Sequence, residues 1–170
     1  YTDTIAPRFL LATLMAALDH QRRTGEGQYI DAAQFEMSLH FLAPEIMDYQ
    51  ANGHLVSRNG NRSRDMAPHG VYPCAGLDNW CAIAIENNTH WLALRRVLGD
   101  PEWARNQDFD TNTGRLAQQD AIDDEIALWT RSREREEVAG QLRDVGVPAG
   151  EVQRSSDLLQ DAQYAHREFY

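Results

Sequence analysis

From Ala6 to Arg23 the chain carries an unbroken helix-forming run that is apolar on nearly every side as far as Leu18. A helix with one apolar stripe buries a face; a helix apolar all round needs cover on all sides. The run therefore predicts a buried helix around which other elements must be arranged. Pro7 suits its first turn, where a missing N–H costs little. Arg22 and Arg23 favour the negative end of its dipole. Thr24-Gly25-Glu26-Gly27-Gln28 then breaks the chain with two glycines. The longest apolar stretch, Phe9 to Leu18, ends at Asp19 and falls short of the roughly 20 residues that a membrane crossing takes. No small-residue cleavage site follows it, so it does not read as a secretory signal.

A second helix is expected from Ala32 to Ala51. Phe35, Leu39, Leu42, Ile46 and Tyr49 recur there at spacings of four and three. Pro44 should kink it and Asn52-Gly53 should stop it. Between the two helices, Tyr29-Ile30-Asp31 is read as a short strand. Residues 53 to 68 form the longest irregular stretch, and loops of that length are usually functional. Gly70 to Cys74 and Trp80 to Ile85 predict two strands joined by Ala75 to Asn79.

The remainder reads as helical. Asn88 is the expected cap of a helix carrying Trp91, Leu94 and Leu98, with Trp80 and Trp91 expected in the core. A helix from about Arg115 to Trp129 places Ile122, Ile126 and Trp129 on one face. Another follows Ser132 with Val138, Leu142 and Val145 inward. Val147 to Val152 looks extended, and Ser156-Asp157 opens a last short helix. The chain lacks Met at its start and enters a helical pattern at once, so it is read as a piece of a longer protein.

Net charge is −10, which disfavours nucleic acid as a partner. All 16 basic residues are arginine, so lysine Schiff-base and phosphate-loop chemistry are excluded. Cys74 and Cys81 are too few for a disulfide scaffold; Cys81 reads as a buried hydrophobe, and a reducing, cytoplasmic setting is the default. The six histidines show no zinc-helix spacing, so no metal is expected. There is no Gly-x-Ser-x-Gly elbow and no dinucleotide fingerprint. Asp123, Asp124 and Glu125 read as a solvated helix face. Without further signal this is an α+β domain of open purpose.

Three segments add that signal. The first is Asp3, a long helix ending Ala16-Ala17-Leu18, then Arg22-Arg23-Thr24-Gly25-Glu26-Gly27-Gln28-Tyr29-Ile30-Asp31. The second is Gly60-Asn61-Arg62 followed by Ala67-Pro68-His69-Gly70-Val71-Tyr72-Pro73-Cys74. The third is Gly146-Val147-Pro148-Ala149-Gly150-Glu151-Val152 with Asp157-Leu158-Leu159 and Asp161. In this order, and over essentially the whole chain, they resemble the CaiB/BaiF or family III CoA-transferases, which include formyl-CoA transferase, carnitine CoA-transferase and α-methylacyl-CoA racemase.

The resemblance implies a two-domain α+β fold, with a Rossmann-like large domain and a small α+β domain holding a short antiparallel sheet. Residues 1–52 would be the catalytic and crossing helices of the large domain, 53–153 the small domain and 154–170 the return segment. Two chains would interlock as a homodimer. The substrates would be an acyl-CoA and a carboxylic acid acceptor, with coenzyme A moved between acids and most CoA contacts lying upstream of this chain. Asp3 matches the catalytic aspartate. The segment Gly60, Arg62, Arg64, Met66, His69 and Gly70 matches the substrate loop. Two departures stand out. Pro7 replaces a frequent glycine, and Ser63-Arg64-Asp65-Met66 replaces the glycine-rich stretch of formyl-CoA transferase, which speaks against formyl transfer; the Pro68-His69-Gly70-Val71-Tyr72 segment resembles that of relatives acting on larger acyl groups.

The chemistry suits the residues. An ionised aspartate can attack a thioester and form a mixed anhydride, and a helix N-terminus favours its charged form. Backbone N–H groups between Gly60 and Gly70 are candidate oxyanion donors. Arg62 or Arg64 is placed to meet a distal carboxylate of an acidic substrate. Two other readings stay open. One is a racemase that uses Asp3 as acid and base at the α-carbon. The other is a non-catalytic dimerisation or lid segment.

Overall fold

A computed structural model describes all 170 residues. They divide into two compact units, Tyr1–Arg58 and Asn59–Tyr170.

In the first unit, helix α1 spans Thr2–Thr24. It begins well ahead of Pro7, so Pro7 lies inside it and cannot supply the N–H that would bond the carbonyl of Asp3. Its end is as the sequence predicts. Gly25 takes the left-handed conformation at φ 79° and its N–H reaches Gln21 O. The burial expected of α1 is not met within this chain. Only Ala6 is buried, while Leu11 and Met15 are 59% and 54% exposed. The unit offers cover from one short helix, α2 (Gln34–Leu39), with Phe9 stacked on His40 at 5.1 Å.

The expected single helix from Ala32 is in fact two. After α2 the backbone tightens into a 3₁₀ turn at His40–Leu42, then resumes as α3, Ala43–Asn52. Pro44 explains the break. Its ring excludes the carbonyl of residue 40 from regular pairing, and it sits comfortably in the first turn of α3. Gly53, at φ 70°, ends α3 as predicted. Tyr29-Ile30-Asp31 forms no strand, and Tyr29 is exposed.

The second unit is α+β. Strands β1 (His69–Pro73), β2 (Trp80–Ala84) and β3 (Ala149–Glu151) form an antiparallel sheet in the order β1-β2-β3. Alternation along β2 sends Cys81 and Ile83 into the core and leaves Ala82 and Ala84 on the other face. The core under that face is completed by α4 (Asn88–Val97), α6 (Gln119–Thr130) and α7 (Arg135–Asp144), while α5 (Asn112–Ala117) packs against the turn at Gln107–Asp110 and the start of α6. Trp91, Leu94, Ile122, Ile126, Val138 and Leu142 are fully buried there. Short helices α8 (Ser155–Leu158) and α9 (Ala162–His166) follow. Arg154 ties this return segment to the β1–β2 turn by donating to the carbonyls of Leu77 and Asp78. No helix is long and apolar enough to cross a membrane.

Several local readings are corrected. The cap of α4 is Asn87, whose side chain accepts from His90 N at 3.0 Å; Asn88 is already helical and donates to the carbonyl of Asp110. The helix expected from Arg115 to Trp129 is α5 and α6, divided at Gln118. Val145 is exposed because α7 stops at Asp144, and Val147 takes the inward place instead. Trp80 lies at the sheet's outer face, 36% exposed, with its indole N–H on Asp78 Oδ1.

One glycine carries a sharp constraint. A Cβ at Gly114 would lie 1.9 Å from the backbone oxygen of Asp108, which belongs to a tight 3₁₀ turn. Gly114→Ala must therefore displace main chain rather than a side chain. We expect a loss on the order of 3 kcal/mol, read as a lowered denaturation midpoint. A midpoint equal to wild type would show that the 107–114 segment yields without cost.

Candidate active site

Asp3 lies in the first turn of α1, whose N-cap is Tyr1. The amides of Thr4 and Ile5 both bond Tyr1 O at 3.1 Å. The unpaired N–H groups and the helix dipole favour negative charge at such a position. The carboxylate is solvent-exposed, and it has one side-chain partner. Gln34, the first residue of α2, donates its amide to Asp3 Oδ1 and to Thr2 Oγ1. Tyr1 OH donates to the Ser38 carbonyl, a second bond across the same pair of helices. The Thr-Gly-Glu-Gly turn at the far end of α1 is held internally, with Thr24 Oγ1 accepting from Glu26 N.

The second unit holds a cleft of about 510 Å³. Its floor is the outer face of the sheet, where Val71 pairs with Ala82, His69 with Ala84 and Ala82 with Gly150. Ala82, Ala84 and Gly150 are small and leave the space. One wall is the Asn59–Arg62 turn, closed by Arg62 N on Asn59 O at 3.1 Å. Another is Pro148-Ala149-Gly150. Two of the three sequence segments singled out above, Gly60–Cys74 and Gly146–Val152, thus meet at one cleft. Of the expected substrate residues, Gly60, Arg62, His69 and Gly70 line it. Arg64, ion-paired with Asp65, and half-buried Met66 lie outside that lining.

The turn is clasped. Arg62 Nη2 lies 2.6 Å from Asp120 Oδ1 and 2.9 Å from Asp123 Oδ2. The other oxygen of Asp123 accepts from Tyr72 OH at 2.7 Å. The hydrogen bond to Asp120, with the charges of both carboxylates, holds the Arg62 guanidinium above its ordinary range. Burial first, and the Asp123 charge second, push the Tyr72 phenol far up. His69 Nδ1 stands 2.6 Å from the Asn61 carbonyl oxygen, so Nδ1 is the protonated, donating nitrogen.

The base of the loop is held as well. Asn112 Nδ2 donates to Asp65 O, and its Oδ1 accepts from Ala67 N. Arg115, fully buried, donates to the carbonyls of Ala67 and Phe109 at 2.7 Å and to Asn88 Oδ1 at 2.9 Å. Burial pulls its guanidinium below the usual arginine range. The amides of Arg62, Asp65 and Ala67 already have partners, which removes three of the oxyanion donors expected between Gly60 and Gly70.

Asp123 is therefore not the solvated residue its run of acids suggested. Asp120 and Asp123, three apart on α6, share a face, which is the only trace of the clasp in sequence. Gln34, Tyr72, Asn112 and Arg115 gave no local signal.

The sequence model described as CoA-transferase family III matches residues 1–170. The chain is 31% identical over 166 residues to succinyl-CoA–D-citramalate CoA-transferase of Chloroflexus aurantiacus, covering 98% of this chain and 41% of that protein. It is 31% identical over 164 residues to acetyl-CoA:oxalate CoA-transferase of Acetobacter aceti, covering 95% and 42%. The crystal structure of a CaiB/BaiF family protein from Brucella suis superposes with a TM-score of 0.83 at 30% identity, covering 98% of this chain and 43% of that one. The chain thus spans less than half the length of these relatives. Matched from its first residue to its last, and sharing its fold with a solved CaiB/BaiF protein, the chain belongs to CoA-transferase family III.

Proposed function

We propose that the protein to which this chain belongs is an acyl-CoA:carboxylate CoA-transferase with Asp3 as its nucleophile. The observation that carries the reading is the setting of Asp3. It is an exposed carboxylate in the first turn of a 23-residue helix, oriented by Gln34, in a chain of this family.

The steps balance as acyl exchange. A carboxylate oxygen of Asp3 attacks the donor thioester carbonyl, and the C–S bond breaks to give an aspartyl mixed anhydride and CoA thiolate. The thiolate attacks the aspartyl carbonyl, releasing the donor acid and leaving an aspartyl thioester. The acceptor carboxylate displaces the thiolate to form a second anhydride. Attack of the thiolate on its acyl carbonyl gives the new acyl-CoA and restores Asp3. Each tetrahedral intermediate needs hydrogen-bond donors for its oxyanion. The amides at the tip of the Asn59–Arg62 turn are the candidates in this chain. Gly60, Arg62, Arg64, Met66, His69 and Gly70 form the substrate-binding segment in this reading. Family membership supports an interlocked homodimer acting in the cytoplasm on small acids, with coenzyme A as the carried group and no metal, nucleic acid or membrane required.

The test is covalent. Full-length protein incubated with acyl-CoA should gain one acyl mass on the peptide containing Asp3. Solvent deuterium entering the α-carbon of the acyl group, without exchange of CoA, would instead identify a racemase. Label on a different peptide would remove Asp3 from the nucleophile's place.

A further inference from the structure

Arg62 looks at first like a receptor for a substrate carboxylate, since it lines the cleft and carries a guanidinium. Its surroundings say otherwise. Asp120 and Asp123 both lie within ion-pair distance, so two carboxylates face one cation and the local charge is negative. A third carboxylate approaching this arginine meets net repulsion.

Asp123 itself is fixed from both sides. One oxygen takes the Tyr72 hydroxyl from β1 and the other takes Arg62, and its side chain is only 19% exposed. Using both oxygens of a half-sheltered carboxylate leaves it a single orientation. The opposite side of the turn is pinned by His69 on the Asn61 carbonyl. The residues so held, Gly60, Asn61 and Arg62, are the ones that wall the cleft.

We infer that Asp123, backed by Asp120 and Tyr72, is a positioning residue for the substrate turn and acts through Arg62, which is the buckle of that turn and not a receptor for a substrate carboxylate. This rests on the reading of the Gly60–Gly70 segment as substrate-binding. The clasp ties α6 to a segment 61 residues away in sequence. It fixes the shape of the wall rather than the charge of what the wall meets. Its loss should therefore weaken turnover of neutral and acidic acyl groups alike.

The experiment uses the full-length protein with butyryl-CoA and succinyl-CoA as alternative donors to one acceptor. Arg62→Gln, Asp123→Asn and the double variant are compared with wild type in kcat and KM, with thermal melts and Asp3 acylation alongside. Each single variant is expected to lower kcat/KM about tenfold on both donors, the size of one charge-assisted bond. The double variant should be no worse than the poorer single, because both break the same contact. Tyr72→Phe, which keeps the ring and removes only one bond to Asp123, should lose about threefold. Selective loss of succinyl-CoA in Arg62→Gln, with Asp123→Asn improving that donor, would make Arg62 the receptor and overturn the inference. A lowered melting temperature with unchanged kcat/KM would reduce the clasp to a stability element and overturn it too. If wild type acylates Asp3 and Asp123→Asn is indifferent, only this inference fails. If wild type never acylates Asp3, the reading beneath it fails and takes the inference with it.

Discussion

Asp3→Asn in the full-length protein should abolish acyl transfer and the acyl mass on its peptide together. The amide keeps the volume and can still meet Gln34 through its oxygen, so the local fold should survive. What it loses is the negative charge and the nucleophilic oxygen, and no neighbouring carboxylate stands in the same helical turn to replace them. Removing a covalent nucleophile costs on the order of 10⁴-fold or more in kcat. Gln34→Ala is the graded companion. It leaves the carboxylate but frees its orientation, and a loss of about tenfold in kcat is expected. Substantial turnover by Asp3→Asn, measured against a preparation free of wild type, would end the anhydride mechanism for this protein.

The second large effect concerns stability. Arg115→Met should strongly destabilise the second unit, by about 3 to 5 kcal/mol. The arginine is buried with three hydrogen bonds, two of them to the carbonyls of buried Ala67 and Phe109, which are left unpaired away from water once it is gone. It also lies over the Trp91 ring at 5.6 Å, and Trp91 is the centre of the aromatic cluster with Trp103 and Phe109. Methionine can fill part of the volume but satisfies none of the acceptors. Because Arg115 grips the carbonyl of Ala67, the variant should also loosen the approach to the cleft. Faster amide hydrogen exchange at residues 65–70 than in wild type checks this. A melt within about 1 kcal/mol of wild type would mean that the freed acceptors find other donors.

How far sequence alone reaches here depends on the range of the interaction. Gly25 and Gly53 end helices where they should, because a left-handed residue after a helical run is a local matter. The β1–β2 hairpin is readable as two apolar runs joined by Ala75 to Asn79, whereas the face each residue takes is not, since Trp80 is expected inside and lies on the outer face. For Asp3 the pattern alone misleads, since it starts the helix near Pro7 and leaves Asp3 ahead of it; only the resemblance puts this residue at a helix start, and α1 holds it in its first turn. Pro44 marks a disruption, but whether it kinks a helix or divides one depends on what packs against residues 39–43. The clasp is not legible as such, since Asp123 lies 61 residues from Arg62 and 51 from Tyr72 and sits in a run of acids that reads as an ordinary solvated helix face. The same holds for Gln34, which touches Asp3 only because α2 folds back along α1.

The phenol of Tyr72 has a consequence for alkaline solution. In the unfolded chain it sheds its proton near its ordinary value of 10.0, whereas in the folded unit burial and the Asp123 charge keep the proton on. The native state therefore retains a proton that the unfolded state gives up, and the balance tips toward unfolding as pH rises beyond about 10. Below that range the contribution is intact. Tyr72→Phe, having no proton to lose, should show a flatter decline of melting temperature on the basic side than the parent, even if it starts lower at neutrality.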